Sequence, residues 1–290
     1  MKRVLITGST GFVGSRLVQK YKHCWEIIAP SRQELDIANP DTLHKTLEQA
    51  QPELVIHTAA LSNTGYCEAH PLESFVVNMQ LPHQLAIECR KLGAKLVFFS
   101  SDQVYNGTKC QGALPENALL SPVNVYGRHK LEAEQRVLEE CPDAVGLRAT
   151  WMYDFERYGL KTSTGFLGNL QQVLQQKKTL RLPVGEYRGV TWVMPVVDAM
   201  EKMADLPGGI YNMGAENPLN TYATALFCLE RMGAGEQAEA LLEADTEFTR
   251  NLSMDTGKMK DACGVTFGDT VDSFAACWDD YQNNKGGNNQ

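Results

Sequence analysis

Thr7-Gly8-Ser9-Thr10-Gly11-Phe12-Val13-Gly14 follows directly on the apolar run Val4-Leu5-Ile6 near the start of the chain. Its glycines recur every third residue, between a predicted strand, Lys2 to Thr7, and a predicted helix, Gly11 to Lys22. In that context each glycine has a physical task. Gly8 permits the tight turn, Gly11 lets backbone amides approach a pyrophosphate, and Gly14 lets the helix pack close on the strand. The positive end of the helix then faces the phosphates. Gly8, Thr10, Gly11, Phe12, Val13 and Gly14 are therefore the candidate dinucleotide cradle.

The same strand-helix rhythm continues outward. Strands are predicted at Glu26 to Pro30, Leu54 to Ala60, Lys95 to Ser101 and Ala144 to Thr150. Helices are predicted at Pro40 to Gln49, Pro71 to Leu92 and Pro122 to Glu140. Leu54-Val55-Ile56 and Leu96-Val97-Phe98-Phe99 do not alternate with polar residues, so they read as strands buried on both faces. The fold class is α/β, a Rossmann-like doubly wound parallel sheet. After Thr150 the rhythm loosens. Asp154 to Thr164 reads as a mobile polar loop, Phe166 to Gln176 as helix, Val190 to Val197 as strand and Val197 to Ala204 as helix. Gly209 to Gly214 reads as strand, and Thr221 to Met232 and Thr270 to Tyr281 as helices. This predicts a nucleotide-binding domain over 1–150, with returns to it near 190–215. A smaller, interleaved substrate lobe covers 151–283, and a disordered tail 284–290.

Composition narrows the function classes. The chain has 290 residues, 27 basic and 35 acidic, for a net charge of -8. The acidic balance argues against a nucleic-acid partner, and no apolar run approaches the ~20 residues that span a bilayer. No secretion signal is visible at the N-terminus. Eight cysteines without Cys-x-x-Cys or zinc spacing read as reduced thiols in a cytoplasmic protein, with no metal site.

Cofactor choice is written at the end of the second strand, Ala29-Pro30-Ser31-Arg32. An acid there would bind the adenosine ribose hydroxyls. Instead Arg32 is placed to pair with a 2′-phosphate and Ser31 to add a hydrogen bond, which favours NADP(H) and leaves NAD(H) as the alternative. Asp36 and Ile37 follow, where they would bracket the adenine.

Tyr126 and Lys130 lie four apart on a predicted helix and so share a face. A phenol with a pKa of ~10 is a poor acid at neutral pH. A nearby ammonium is expected to lower that pKa. Ser101 stands at the carboxyl end of a strand, where doubly wound sheets place their sites, and is able to polarise a carbonyl. Ser100 is the better candidate for ending the strand or capping the turn.

Taken together, these segments resemble the extended short-chain dehydrogenase/reductases, and within them the dTDP-4-dehydrorhamnose reductase branch. The resemblance runs from Arg3 to about Phe274. It rests on TGSTGFVG at 7–14, HTAA at 57–60, VN at 77–78, SSDQVYNG at 100–107 and SPVNVYGRHK at 121–130. LRATWMY at 147–153, GIYNMG at 209–214 and LSMDTGKM at 252–259 complete it. The resemblance implies Tyr126 as proton donor to a sugar keto oxygen, Lys130 as the residue that tunes it and holds the ribose, and Ser101 as a hydrogen-bond donor to the same oxygen. It places Ala59, Ala60 and Ser62 along the cofactor, Asn78 in support of the active-site backbone or of a proton-relay water, and Asp102, Gln103 and Trp151 at the sugar; Arg148 reads as structural arginine or ligand contact. A sugar-nucleotide substrate and a homodimer are implied with it. Two departures stand out: Gln103 where the family has Tyr, and Val190 where it has Pro. A 4-epimerase, a dehydratase and a non-catalytic NADP-binding regulatory subunit are the rival readings. Asp102 is followed by Gln103 rather than by a second carboxylate, which disfavours the dehydratase.

Overall fold

The computed structural model describes residues 1–35, 40–157, 159–162 and 165–287. Its strands are β1 (Lys2–Thr7), β2 (Trp25–Ile28), β3 (Leu54–His57), β4 (Lys95–Ser101), β5 (Val145–Ala149), β6 (Trp151–Tyr153), β7 (Leu180–Arg188), β8 (Val190–Trp192), β9 (Gly209–Met213) and β10 (Leu242–Leu252). Six of them make one sheet in the order β2-β1-β3-β4-β5-β9, every neighbouring pair parallel. The sheet is buried on both faces because consecutive strand residues serve opposite cores. Val4, Ile6, Val97 and Leu147 pack with Leu17 and Val197 on one side. Leu5, Val55, Leu96 and Phe98 pack with Leu85 and Val137 on the other. This is the burial that non-alternating strands require. The strand order reverses direction between β1 and β3, the crevice where such sheets bind ligands.

A third core gathers Tyr153, Phe155, Phe166, Leu170, Phe274 and Cys277. Around it lie two small parallel pairs, β7 with β10 and β6 with β8.

Four expectations are corrected. The apolar run expected as strand over Val190 to Val197 is strand only to Trp192; Val193–Asp198 is helix, with Pro195 inside it. Proline cannot donate to a sheet ladder, and the first turn of a helix tolerates it. The loop expected to be mobile from Asp154 is anchored at its start. Asp154 and Phe155 are buried, Asp154 pairs with Arg16 at 2.9 Å and with Arg157 at 3.0 Å, and Phe155 stacks on Tyr281. The tail expected to be disordered from residue 284 continues the last helix, Thr270–Gly287, because backbone bonding needs no apolar side chain; residues 288–290 lie outside the described residues. The helix expected over Pro71 to Leu92 holds, but a π turn interrupts it at Val76–Gln80. Such turns are rare and cluster at functional sites, and this one carries Asn78.

No helix among the described residues is long and apolar enough to cross a membrane.

Candidate active site

The glycine turn sits at the β1/β3 crevice with no room for side chains. Gly8 has φ +67°, and a Cβ there would lie 2.8 Å from the Ala59 backbone nitrogen. A Cβ on Gly14 would lie 2.3 Å from the Gly8 carbonyl oxygen, so the helix meets the turn backbone to backbone. Gly11 N–H donates to Gly8 O at 2.7 Å and closes the turn. Gly11 also begins the helix Phe12–Tyr21 without a side-chain cap, leaving first-turn amides for a ligand. This backbone cradle fits a dinucleotide pyrophosphate. Thr10 is exposed beside it, while Val13 points into the core and Phe12 lies under the Arg16 guanidinium at 4.2 Å. Those two contribute packing and backbone amides rather than side-chain contacts.

Beyond β2, Ser31 N–H donates to Glu34 at 2.8 Å, and Ser31 Oγ accepts from Glu34 N–H at 3.3 Å. Arg32 is exposed and makes no hydrogen bond or ion pair to the described residues, so its guanidinium is free for an external anion. Asp36 and Ile37 lie outside the described residues.

On the other side of the crevice, Ala59 N–H donates to Thr7 Oγ1 at 3.3 Å, and Ala60 and Ser62 are exposed. Asn78 is fully buried. Its Oδ1 accepts from Leu61 N–H and its Nδ2 donates to Leu61 O, both at 3.0 Å. The π turn thus places one amide against the loop that carries Ala59 to Ser62.

Ser101, Tyr126 and Lys130 converge at the carboxyl end of β4, each at least nine-tenths buried. Tyr126 and Lys130 project from the helix Val125–Glu140, which begins at Asn124, whose side chain accepts from Gly127 N–H. The Ser101 hydroxyl stands close enough to the Tyr126 phenol to favour its ionised form. Lys130 Nζ lies 5.9 Å from the Tyr126 ring centroid and donates to Phe99 O at 2.7 Å. The expected lowering of the phenol pKa is overturned. Burial pushes Tyr126 upward, and the neighbouring Ser101 hydroxyl offsets only part of that. Burial also pushes Lys130 down, to about 8. Desolvation therefore governs both groups. His57, at the end of β3, is held neutral by burial, its pKa pushed down to about 3 with Lys130 adding to the shift.

Capping falls to Ser101 rather than Ser100. Ser101 Oγ accepts from Gln103 N–H at 3.2 Å at the start of the short 3-10 turn Asp102–Tyr105. Ser100 Oγ donates to Glu134 at 2.6 Å. Glu134 also receives Arg148, at 2.7 Å through Nη2 and 3.0 Å through Nε. Arg148 reaches on to the Tyr105 hydroxyl at 2.6 Å and to Glu116 O at 3.0 Å, so it is a buried strut. Gln103 is buried, and its Oε1 accepts from Asn124 Nδ2 at 2.9 Å, tying the 3-10 turn to the start of the Tyr126 helix.

Trp151 lies near this cluster but is already covered. The Arg188 guanidinium sits 3.6 Å from its ring centroid, and Phe166 stacks against it at 6.0 Å. Arg188 also pairs with Asp102. Sequence reading missed Arg188 altogether: within Gly185-Glu186-Tyr187-Arg188-Gly189 it looks like a turn cation, and only the β7–β10 pairing carries it inward.

These features agree with the comparisons to known proteins. The family described as the RmlD substrate binding domain matches residues 1–262. The chain is 26% identical over 250 residues to the spore coat polysaccharide biosynthesis protein SpsK of Bacillus subtilis, covering 85% of this chain and 84% of that protein. It is 28% identical over 238 residues to a dTDP-4-keto-6-deoxy-D-glucose reductase of Streptomyces niveus, covering 80% and 79%. The solved structure of a dTDP-4-dehydrorhamnose reductase from Clostridium acetobutylicum shares the fold, with a TM-score of 0.83 at 21% identity over 97% of this chain and 100% of that one. The chain is therefore a member of the RmlD substrate-binding-domain family, within the extended short-chain dehydrogenase/reductases.

Proposed function

We propose that the chain is an NADPH-dependent reductase of a keto group on a sugar nucleotide, of the 4-keto sugar type, with NADH as the weaker alternative donor. The observation that carries this reading is the convergence of Ser101, Tyr126 and Lys130 beside a glycine cradle shaped for a pyrophosphate. When bound, the nicotinamide supplies the hydride. The chain's own residues handle the charge that develops on the keto oxygen. Ser101 Oγ turns its proton to that oxygen, and Tyr126 Oη delivers a proton to it as it becomes an alkoxide. Lys130, as a cation close to the phenol, stabilises the phenolate left behind. Asn78 holds the Leu61 backbone, and Gln103 fixes the angle between the 3-10 turn and the Tyr126 helix.

All eight cysteines are free, in keeping with a cytoplasmic location. The apolar side chains Tyr66, Leu72 and Val76 are exposed on neighbouring helical turns and offer a face for a homodimer.

The test is to mix the protein with NADPH and a panel of 4-keto sugar nucleotides and follow the loss of NADPH absorbance. Turnover of at least one supports the reading; none, with NADPH shown to bind, favours a regulatory binding protein. Arg32 gives a second check. Arg32→Ala is expected to weaken NADPH about tenfold or more relative to NADH, the loss of a charge-assisted bond to the 2′-phosphate. Titration of both cofactors measures it, and an unchanged affinity ratio would remove Arg32 as the phosphate ligand.

A further inference from the structure

Arg188 is the least explained charge in the molecule. It is 1% exposed, yet its Nε and Nη1 have no hydrogen-bond partner. Glu186 is near enough to influence it but is committed elsewhere, to Arg250 Nε at 2.6 Å and Thr221 Oγ1 at 2.9 Å. Arg188 is held by its backbone oxygen, which accepts from Asn217 Nδ2 at 2.9 Å, and by the Trp151 ring beneath it. Among the described residues its one carboxylate partner is Asp102. A buried guanidinium with two idle nitrogens costs stability, so its retention here asks for a reason beyond packing.

The reason lies in what Asp102 touches. Asp102 is 1% exposed, and its Oδ1 accepts from Ser101 Oγ at 3.2 Å and from Gln103 Nε2 at 3.4 Å. Arg188, Asp102 and Ser101 form one continuous buried chain, and Ser101 in turn stands close enough to the Tyr126 phenol to act on it. Of the titratable and charged groups among the described residues, Arg188 from β7 and Tyr126 from its helix face Asp102. Glu186 and Arg250 face Arg188 from β7 and β10, and Cys67 faces Tyr126.

We infer that Arg188 is a positioning residue for the reduction: by pairing with Asp102 it cancels a carboxylate that would otherwise oppose the alkoxide forming beside Ser101. This rests on the reductase reading. An unpaired Asp102 would repel negative charge on the keto oxygen and on the Tyr126 phenolate. In the buried pair that repulsion is neutralised, and Ser101 is free to turn its hydroxyl to the substrate.

The test is the pH profile of turnover for Arg188→Met, expressed as a ratio to the unmodified protein so that the ionisation of Lys130 cancels. With no cation beside it, buried Asp102 has its pKa raised. It is protonated at low pH, where the variant retains most activity, and ionised at higher pH, where the repulsion returns. The ratio is expected to fall about tenfold between about pH 6 and about pH 9. Arg188→Lys restores a flat ratio by supplying another cation, and the double variant Arg188→Met with Asp102→Asn is flat because no carboxylate remains. A residue that only packs would lower turnover equally at every pH, so a flat ratio for Arg188→Met overturns the proposal. A fall that persists in the double variant overturns it too, since the titrating group is then not Asp102. The unmodified protein is the control: if it reduces no keto sugar nucleotide, the reductase reading fails and this role fails with it. If it does, a flat ratio removes the role of Arg188 alone.

Discussion

Tyr126→Phe is expected to lower reduction of a keto sugar nucleotide about a thousandfold while leaving NADPH affinity within about twofold. The hydroxyl is the one polar atom lost, and its polar neighbour is Ser101 rather than the glycine cradle. The ring keeps its place, buried with Cys67 and Val125 against Leu61, so the helix and Lys130 keep theirs. Two forces act on this phenol. Burial holds it protonated, which suits a group that must arrive at the keto oxygen carrying a proton. The Lys130 ammonium then becomes important only as the phenolate forms. Steady-state rates and a cofactor titration on the same preparation separate the steps. Turnover equal to that of the unmodified protein would remove Tyr126 as the acid, and loss of NADPH binding would mean that the substitution damaged the fold.

The second large effect concerns stability. Glu134→Ala should cost about 3–5 kcal/mol, because it leaves Arg148 buried without its carboxylate. Glu134 and Arg148 are each no more than 3% exposed, and Glu134 also takes the Ser100 hydroxyl. The pair fastens β5 to the helix that carries Tyr126 and Lys130, so the same change should loosen the site. The midpoint of reversible denaturant unfolding measures it. A loss below about 1 kcal/mol would mean that water reaches Arg148 or that it finds another partner. Arg148→Met is expected to be milder than Glu134→Ala, since a glutamate left alone accepts a proton more readily than an arginine gives one up.

Where a feature is local, the chain announces it. The glycine turn is legible because a strand, three glycines and a helix lie within fifteen residues and each glycine has a steric reason. Strands β3 and β4 are legible because a continuous apolar run fits only a sheet covered on both sides. The relation of Tyr126 to Lys130 is legible because helical spacing puts them on one face. The capping of the 3-10 turn by Ser101 rather than Ser100 is not legible, since two adjacent serines differ only in which way the strand end turns them.

What stayed hidden depends on distant partners. The β7–β10 pair joins segments about sixty residues apart, and both strands are mixed in polarity, so neither advertises itself. Arg188 and Asp102 are separated by 86 residues, and nothing in the sequence pairs them. Asp154 misled in the same way. A polar stretch read as a mobile loop is pinned by Arg16, 138 residues earlier. The π turn at Asn78 has no compositional sign, because one extra residue per turn leaves the sequence pattern almost unchanged. The upward Tyr126 shift is hidden for a related reason: a neighbouring lysine is visible in the sequence, whereas the depth of burial that raises the phenol is not.

The central claim is that a hydride is delivered to a sugar carbon while Tyr126 protonates the neighbouring oxygen. It is tested most directly by isotope transfer. The protein is incubated with a 4-keto sugar nucleotide and NADPH deuterated at C4 of the nicotinamide, each of the two faces in a separate reaction, and the sugar product is weighed by mass spectrometry. One face should yield a product about one mass unit heavier, with the label on the new carbinol carbon and Tyr126→Phe giving almost none. An unlabelled alcohol from both faces, or no alcohol at all, would contradict the account.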